Sequence, residues 1–405
     1  MSVFTRLVLA AIPVALTWTL SWFGVFCFVN GYVKQVLGQG TEVWTQLTLW
    51  LIGGVVFWQA TAAEVSARIG RRRTLTIAMG MSAVLFGAIP FIQDVRYLGP
   101  LLALLGVMHG VFFGVWFPFV ASAGRASPGR SIAGTQFVFN SCSLLGILVG
   151  APVMASGNFR ALFLTASGVM LLSTVAFAIL AAKLDEGSSK VTSIWRLRRA
   201  DVKALLHGPF LWIAVAGLML EPFAFHTVNQ LLPNLVRKLH GFDEGQITVA
   251  VSLSRLPALL VLLVLARMIY RLNACRCYGV GLLVGGIGVV LIGLAPVSGP
   301  VLLLLFLSLY YAGQGVVWGS NSTAVNRMVP EDLRDAAFAS MGLILMAALL
   351  GVGVIHHWLV SVGVSLPHVF VICGVFGVGS GITLIVRAGR PDMRQRGNPG
   401  SDPAK

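Results

Sequence analysis

TQLTLWLIGGVVFWQATAAEVSARIGRRRTLTIAMGMSAVLFGAIPFIQ, residues 45–93, holds two apolar runs joined by the basic turn Arg68-Ile69-Gly70-Arg71-Arg72-Arg73. Each run is about 20 residues, enough to cross a hydrocarbon core of about 30 Å as a helix. In lipid the backbone must satisfy its own hydrogen bonds, which leaves helices or closed barrels. Barrel strands would alternate in polarity over about ten residues, and this stretch does not. It reads as a pair of membrane helices with a cationic turn at one surface.

The same pattern extends in both directions. Apolar runs recur at roughly 7–29, 45–67, 75–93, 99–122, 132–154, 161–182, 209–232, 247–269, 278–296, 300–322, 337–360 and 366–387, bounded by breaker residues. Of the 405 residues, 57% are hydrophobic and 11% charged, and the mean hydropathy is +0.87, far from soluble composition. Arg6 before the first run resembles a signal peptide's start, but the run is too long and more follow. The expectation is an all-α membrane protein of twelve transmembrane helices. Lys183 to His207 is the longest polar stretch and divides six spans from six, giving an N-terminal bundle over 1–183, a cytoplasmic linker over 184–208, a C-terminal bundle over 209–390 and a disordered tail over 391–405.

The net charge of +15 needs no nucleic acid, because the positive-inside rule accounts for it. With both termini cytoplasmic, 23 Lys/Arg fall inside and five (Lys34, Arg96, Arg160, Arg237 and Lys238) outside. The expected location is a bacterial cytoplasmic membrane, with the lipid bilayer as principal partner and the chain as a monomer. The basic run Arg196-Leu197-Arg198-Arg199 reads as an anchor to anionic headgroups. Cys275 and Cys277 find no further Cys or His to complete a metal site, which takes about four ligands. No cofactor motif, Ser-His-Asp constellation or ATP-binding Gly-x4-Gly-Lys-Ser/Thr loop is present. The chain therefore does not read as an enzyme, and any transport must run on a gradient.

The halves echo each other, as after duplication of a six-span unit. Ala63-x3-Ala67-Arg68-Ile69-Gly70-Arg71-Arg72-Arg73 matches Ala266-x3-Tyr270-Arg271-Leu272-Asn273-Ala274-Cys275-Arg276, with Asn273, which tolerates left-handed backbone, in place of Gly70. His109-Gly110-Val111-Phe112-Phe113-Gly114 matches Gln314-Gly315-Val316-Val317-Trp318-Gly319, and Ser127-Pro128-Gly129-Arg130 matches Val329-Pro330-Glu331-Asp332-Leu333-Arg334.

With these features the chain resembles the major facilitator superfamily over all twelve spans. Arg68-Ile69-Gly70-Arg71-Arg72 is similar to that family's loop motif, glycine, three residues, aspartate, arginine, any residue, glycine, arginine, arginine. Phe159-Arg160-Ala161-Leu162-Phe163 is similar to its aromatic-arginine-x-x-phenylalanine element. The resemblance implies two pseudo-symmetric six-helix halves, a gating role for the loop, and a central cavity lined by spans one, four, seven and ten. The motif's aspartate is Ala67 here, and Glu64, one turn earlier, can pair with Arg68 at i,i+4. The drug exporters' span-four arginine corresponds to Gly106, and their span-five glycines find only the loose echo Gly146-x3-Gly150-Ala151-Pro152.

An ionisable group at mid-membrane costs at least about 2.5 kcal/mol and is a functional candidate by default. Of 14 acids only Glu64 and Glu221 fall within spans, Glu64 near an end. Glu221 is expected near the midplane, followed by Pro222, which weakens the local helix. Arg255, the one basic residue deep in a span, is its expected partner; if it meets an anionic solute instead, Glu221 is left to exchange protons. The resemblance places His109, Glu221 and Gln314 around one chamber, with Trp18 and Trp22 as aromatic walls. His226, His356 and His357 read as interfacial. Structural carboxylate and packed histidine stand as the alternatives for Glu221 and His109. The expected function is gradient-driven transport of a small-molecule solute by alternating access, with proton coupling through Glu221 as an option. The alternatives are a multidrug or metabolite exporter, and a non-transporting receptor or assembly protein.

Overall fold

Each of the twelve expected spans falls mainly on helix among the described residues. A computed structural model describes residues 2–124, 128–184, 199–206, 209–268, 272–294, 300–329 and 334–390. The core of the expected linker (185–198), the tail (391–405), Arg125, Ser127, Tyr270, Arg271 and Pro330 to Leu333 lie outside the described residues.

The N-terminal half comprises α1 (Val3–Gln35), α2 (Thr41–Ile69), α3 (Arg71–Phe91), α4 (Val95–Ala123), α5 (Pro128–Ala155) and α6 (Phe159–Lys183). A short helix, Arg199–Leu206, precedes α7 (Phe210–His240). Then come α8, in two pieces (Glu244–Leu253 and Leu256–Met268), α9 (Ala274–Leu294), α10 (Pro300–Met328), α11 (Arg334–Ser361) and α12 (Leu366–Ala388). Short connections make successive helices antiparallel, so the basic turn at 68–73 marks one end of the molecule and Thr41, His240 and Ser361 mark the opposite end.

Many large apolar side chains point outward, among them Phe57, Leu172, Ile179, Leu260 and Val301, each at least 65% exposed. Such a surface suits hydrocarbon rather than water. Asp94 caps α4 at the opposite end, accepting from the Arg96 backbone N–H at 2.9 Å. The Arg96 guanidinium hydrogen-bonds its carboxyl and holds it below the usual carboxylate range.

At the basic end Gly70 closes α2 and opens α3 with φ +89° and ψ 144°, backbone that only glycine adopts without strain. Arg71 reaches the Ser122 hydroxyl of α4 at 2.9 Å, and Arg72 reaches the Ala182 carbonyl at the end of α6 at 3.0 Å. The C-terminal half is stapled in the same way. Arg327 of α10 donates to the Leu272 carbonyl at 3.1 Å, and the Asn273 amide to the Ala388 carbonyl of α12 at 3.4 Å.

Two expectations are corrected here. Asn273 does not take left-handed backbone, since no non-glycine residue among those described has positive φ. Its side chain instead accepts from the Arg276 N–H at 3.0 Å and caps α9. Arg71, expected at one surface with the rest of the cationic turn, is buried, 8% exposed, against α4.

Candidate functional site

Helix irregularities mark the middle of the molecule. α1 opens into wide π-type turns at Thr19–Phe23 and Val25–Val29, and α7 does so at Ile213–Leu218. In α7 the cause is Pro222, whose missing N–H leaves the Leu218 carbonyl without its helical donor. Met219 bonds back to Ala214, and Ser380 of α12 donates to the Ala216 carbonyl. In α8 Pro257 acts likewise on the Leu253 carbonyl. The chain turns at Ser254 and Arg255, with the Arg255 N–H bonded to Ser252 at 3.1 Å. Glu221 and Arg255 thus both sit where a proline has loosened the helix.

The two are not paired. Glu221, 5% exposed, accepts from the Tyr278 hydroxyl of α9 at 2.6 Å. Gly217 leaves room for this contact, because a Cβ there would meet the Tyr278 ring at 2.6 Å. Arg255, 3% exposed, stacks instead on Phe23 of α1, with its Cζ 3.9 Å from the ring centroid, and on Tyr311 of α10 at 5.0 Å. Its Nε and Nη1 are buried without hydrogen-bond partners. The helical wheel turned each side chain toward a different neighbour, so equal depth did not make them partners. Tyr310, whose hydroxyl donates to the Phe225 carbonyl at 3.2 Å, lies within electrostatic reach of both charges. Glu221 is also nearer the basic end of its helix than expected, because α7 continues to His240 rather than stopping near residue 232.

His109 and Gln314 occupy matching places, each midway along a 29-residue helix, α4 and α10. Both are buried, and His109 Nε2 and Gln314 Oε1 have no partner. His109 donates to the Ser21 backbone in the wide turn of α1, and its ring lies 5.1 Å from Trp22. Trp22 stacks on Trp18 at 6.4 Å, and Trp18 meets Phe23 edge-on at 4.9 Å. The aromatic wall thereby reaches the ring beneath Arg255. Asn140 bonds the Gln136 carbonyl at 2.8 Å on α5.

A hydrogen-bonded seam joins the halves toward the opposite end. Trp44 Nε1 of α2 donates to the Gln230 carbonyl of α7 at 3.0 Å, and the Gln230 amide donates to Thr48. Gln230 Oε1 meets His356 Nδ1 of α11 at 2.5 Å, and His356 Nε2 meets Thr227 at 2.8 Å. His226 stacks on His356 at 5.8 Å, and Thr45 meets His357 at 3.1 Å. His226 and His356 are therefore buried between the halves, not interfacial, and His357 also turns toward α2. Trp44, Thr48 and Gln230 were missed from the sequence. Thr45 and Thr48, and Thr227 with Gln230, repeat at i,i+3 within apolar runs, a spacing that places them on one helix face.

At the basic end Glu64 pairs with Arg68 at 3.4 Å, with Arg68 largely exposed, a contact of modest energy. Gly106 packs so closely on α2 that a Cβ would run into the Leu51 carbonyl. The drug exporters' arginine has no room at this position.

Two helical halves, each with a broken first helix around a buried polar layer, define a secondary-transporter architecture. The Major Facilitator Superfamily profile matches residues 7–255 and 217–404, and the chain belongs to the major facilitator superfamily. It is a multi-pass membrane protein of that transporter family. It is 28% identical over 157 residues to the multidrug resistance protein MdtG of Citrobacter koseri and 29% identical to that of Escherichia coli. The match covers 36% of this chain and 36% of those relatives. Among solved structures, the nucleoside transporter NupG superposes with TM-score 0.72 at 13% identity, covering 95% of this chain and 99% of that one. An auto-inhibited peptide transporter of the POT family superposes with TM-score 0.73 at 14% identity, covering 97% and 99%.

Proposed function

We propose that the protein carries a small organic solute across a bacterial cytoplasmic membrane by alternating access, with its basic end and both termini in the cytoplasm. The observation that carries this reading is the seam Trp44–Thr48–Gln230–His356 above a layer of buried polar groups drawn from both halves. A bundle built only for stability gains little by burying His109, Glu221, Arg255 and Gln314 in its interior. A carrier needs such a layer as its site and such a seam as its outer gate. In this orientation the outer gate is closed. Glu221 is the group that couples solute movement to protons, since among the described residues its hydrogen bond comes from a tyrosine and no cation lies within ion-pair distance. The arrangement resists the reading as a non-transporting receptor, for which a gate between the halves has no use. Export is the second reading for direction, supported by the likeness to MdtG.

The test is solute counterflow and pH-driven accumulation in proteoliposomes across a metabolite panel. Saturable counterflow of at least one solute, absent from empty liposomes, is expected. Absence of counterflow for every solute by a folded, monodisperse protein would overturn the reading.

A further inference from the structure

Arg255 poses a problem that the protein itself only partly solves. Its guanidinium sits at the mid-depth break of α8, over the rings of Phe23 and Tyr311 and hydrogen-bonded to the Tyr311 side chain, with Nε and Nη1 buried and unpartnered. Among the described residues no carboxylate lies within ion-pair distance of it, because Glu221 is turned to Tyr278. Ring faces attract a cation through their quadrupoles, yet they accept no N–H hydrogen bonds in the guanidinium plane. They do the opposite of quenching the site, because stacking fixes the plane of the fork and leaves its edges as the only directions for an acceptor. A guanidinium held in this way matches planar oxyanions better than any point cation does. The neighbouring surface is aromatic, running from Phe23 to Trp18 and Trp22.

We propose that Arg255 is the recognition group for an organic anion, specifically a small carboxylate with an aromatic body, whose carboxylate meets the stacked guanidinium and whose ring lies against Phe23 and Trp18. The assignment rests on the transport reading for its biological meaning but not for its chemistry. Residence of the anion supplies the missing charge, so Arg255 is matched only when the site is filled. That difference between empty and loaded protein is what a carrier uses to link binding to the movement of its halves.

The experiment measures equilibrium binding of radiolabelled benzoate to the purified full-length protein, with benzamide as the uncharged competitor. Counterflow of the same label is measured in parallel. Saturable benzoate binding, poor competition by benzamide, and at least about a tenfold loss of affinity in Arg255→Gln are expected. Arg255→Lys, which keeps the charge and loses the fork, should fall between the two, and it serves as the readout if Arg255→Gln does not fold. Equal competition by benzamide, undiminished binding by both variants, or no saturable binding would each overturn the proposal. Benzoate binding without counterflow of benzoate or of any solute of the panel would sustain the anion site and sink the transport reading. Counterflow restricted to neutral solutes would do the reverse.

Discussion

Tyr278 holds Glu221 with a single neutral donor, and this sets what substitutions there will do. Glu221→Gln keeps an acceptor for the tyrosine and strands no cation, since Arg255 is bound elsewhere. The variant should express and melt like the parent, retain counterflow and lose pH-driven accumulation, as read by thermal unfolding beside the two transport assays. Tyr278→Phe removes the donor and leaves a buried carboxyl unsatisfied, at about 1–3 kcal/mol. A fall in thermal stability without loss of the proton-coupled step is the expected result. Gly217→Ala should be worse tolerated, because its Cβ displaces the Tyr278 ring. The sequence made the depth of Arg255 readable, because rise per residue is fixed, but set Glu221 too near the helix centre because α7 runs on to His240. The azimuth of each side chain relative to several neighbours was not readable, so the expected pairing was wrong. Tyr278, which reads as ordinary packing inside an apolar run, gave no signal at all.

Helices α3 and α9 each begin where a turn is tied to two other helices of the same half, through Arg71 and Arg72 in one and Asn273 and Arg327 in the other. These contacts tie each half together at the basic end, and none of them lies near the polar layer. Neutralising Arg71 as Arg71→Ala should lower the maximal transport rate several-fold while leaving the apparent affinity within about twofold. Initial-rate kinetics check this, and a change confined to affinity would contradict it. Gly70→Ala should cost about 1–3 kcal/mol, because alanine cannot hold φ +89° without strain; chemical or thermal unfolding reads that loss. Both turns were visible in the sequence as a repeat, but their solutions differ. Glycine supplies an unusual backbone in the first, whereas Asn273 keeps ordinary backbone and works through its side chain.

At the scale of the whole molecule, the halves meet along α2 and α11, from Thr45 against His357 to Gln59 against Gly342. If the halves rock as proposed, one end of this seam separates. A Thr45→Cys, His357→Cys pair in a background lacking the five native cysteines should cross-link with a short bifunctional thiol reagent. The cross-linked protein should bind solute and fail to transport it, and reduction should restore transport where the reagent is cleavable. Twelve helices and a duplicated plan were legible in residues 45–93 and their echoes, since length and hydropathy determine both. The seam was not legible, because it depends on how two rigid bodies face each other. Its members, moreover, are amides, hydroxyls, indole and imidazole, with no acid–base latch among the described contacts. Mobile ions screen charge pairs over about 8 Å at physiological ionic strength, but they have little purchase on neutral hydrogen bonds in a buried seam. Opening and closing of this seam should therefore proceed at nearly the same rate in dilute and concentrated salt, conditions that would loosen a gate held by ion pairs.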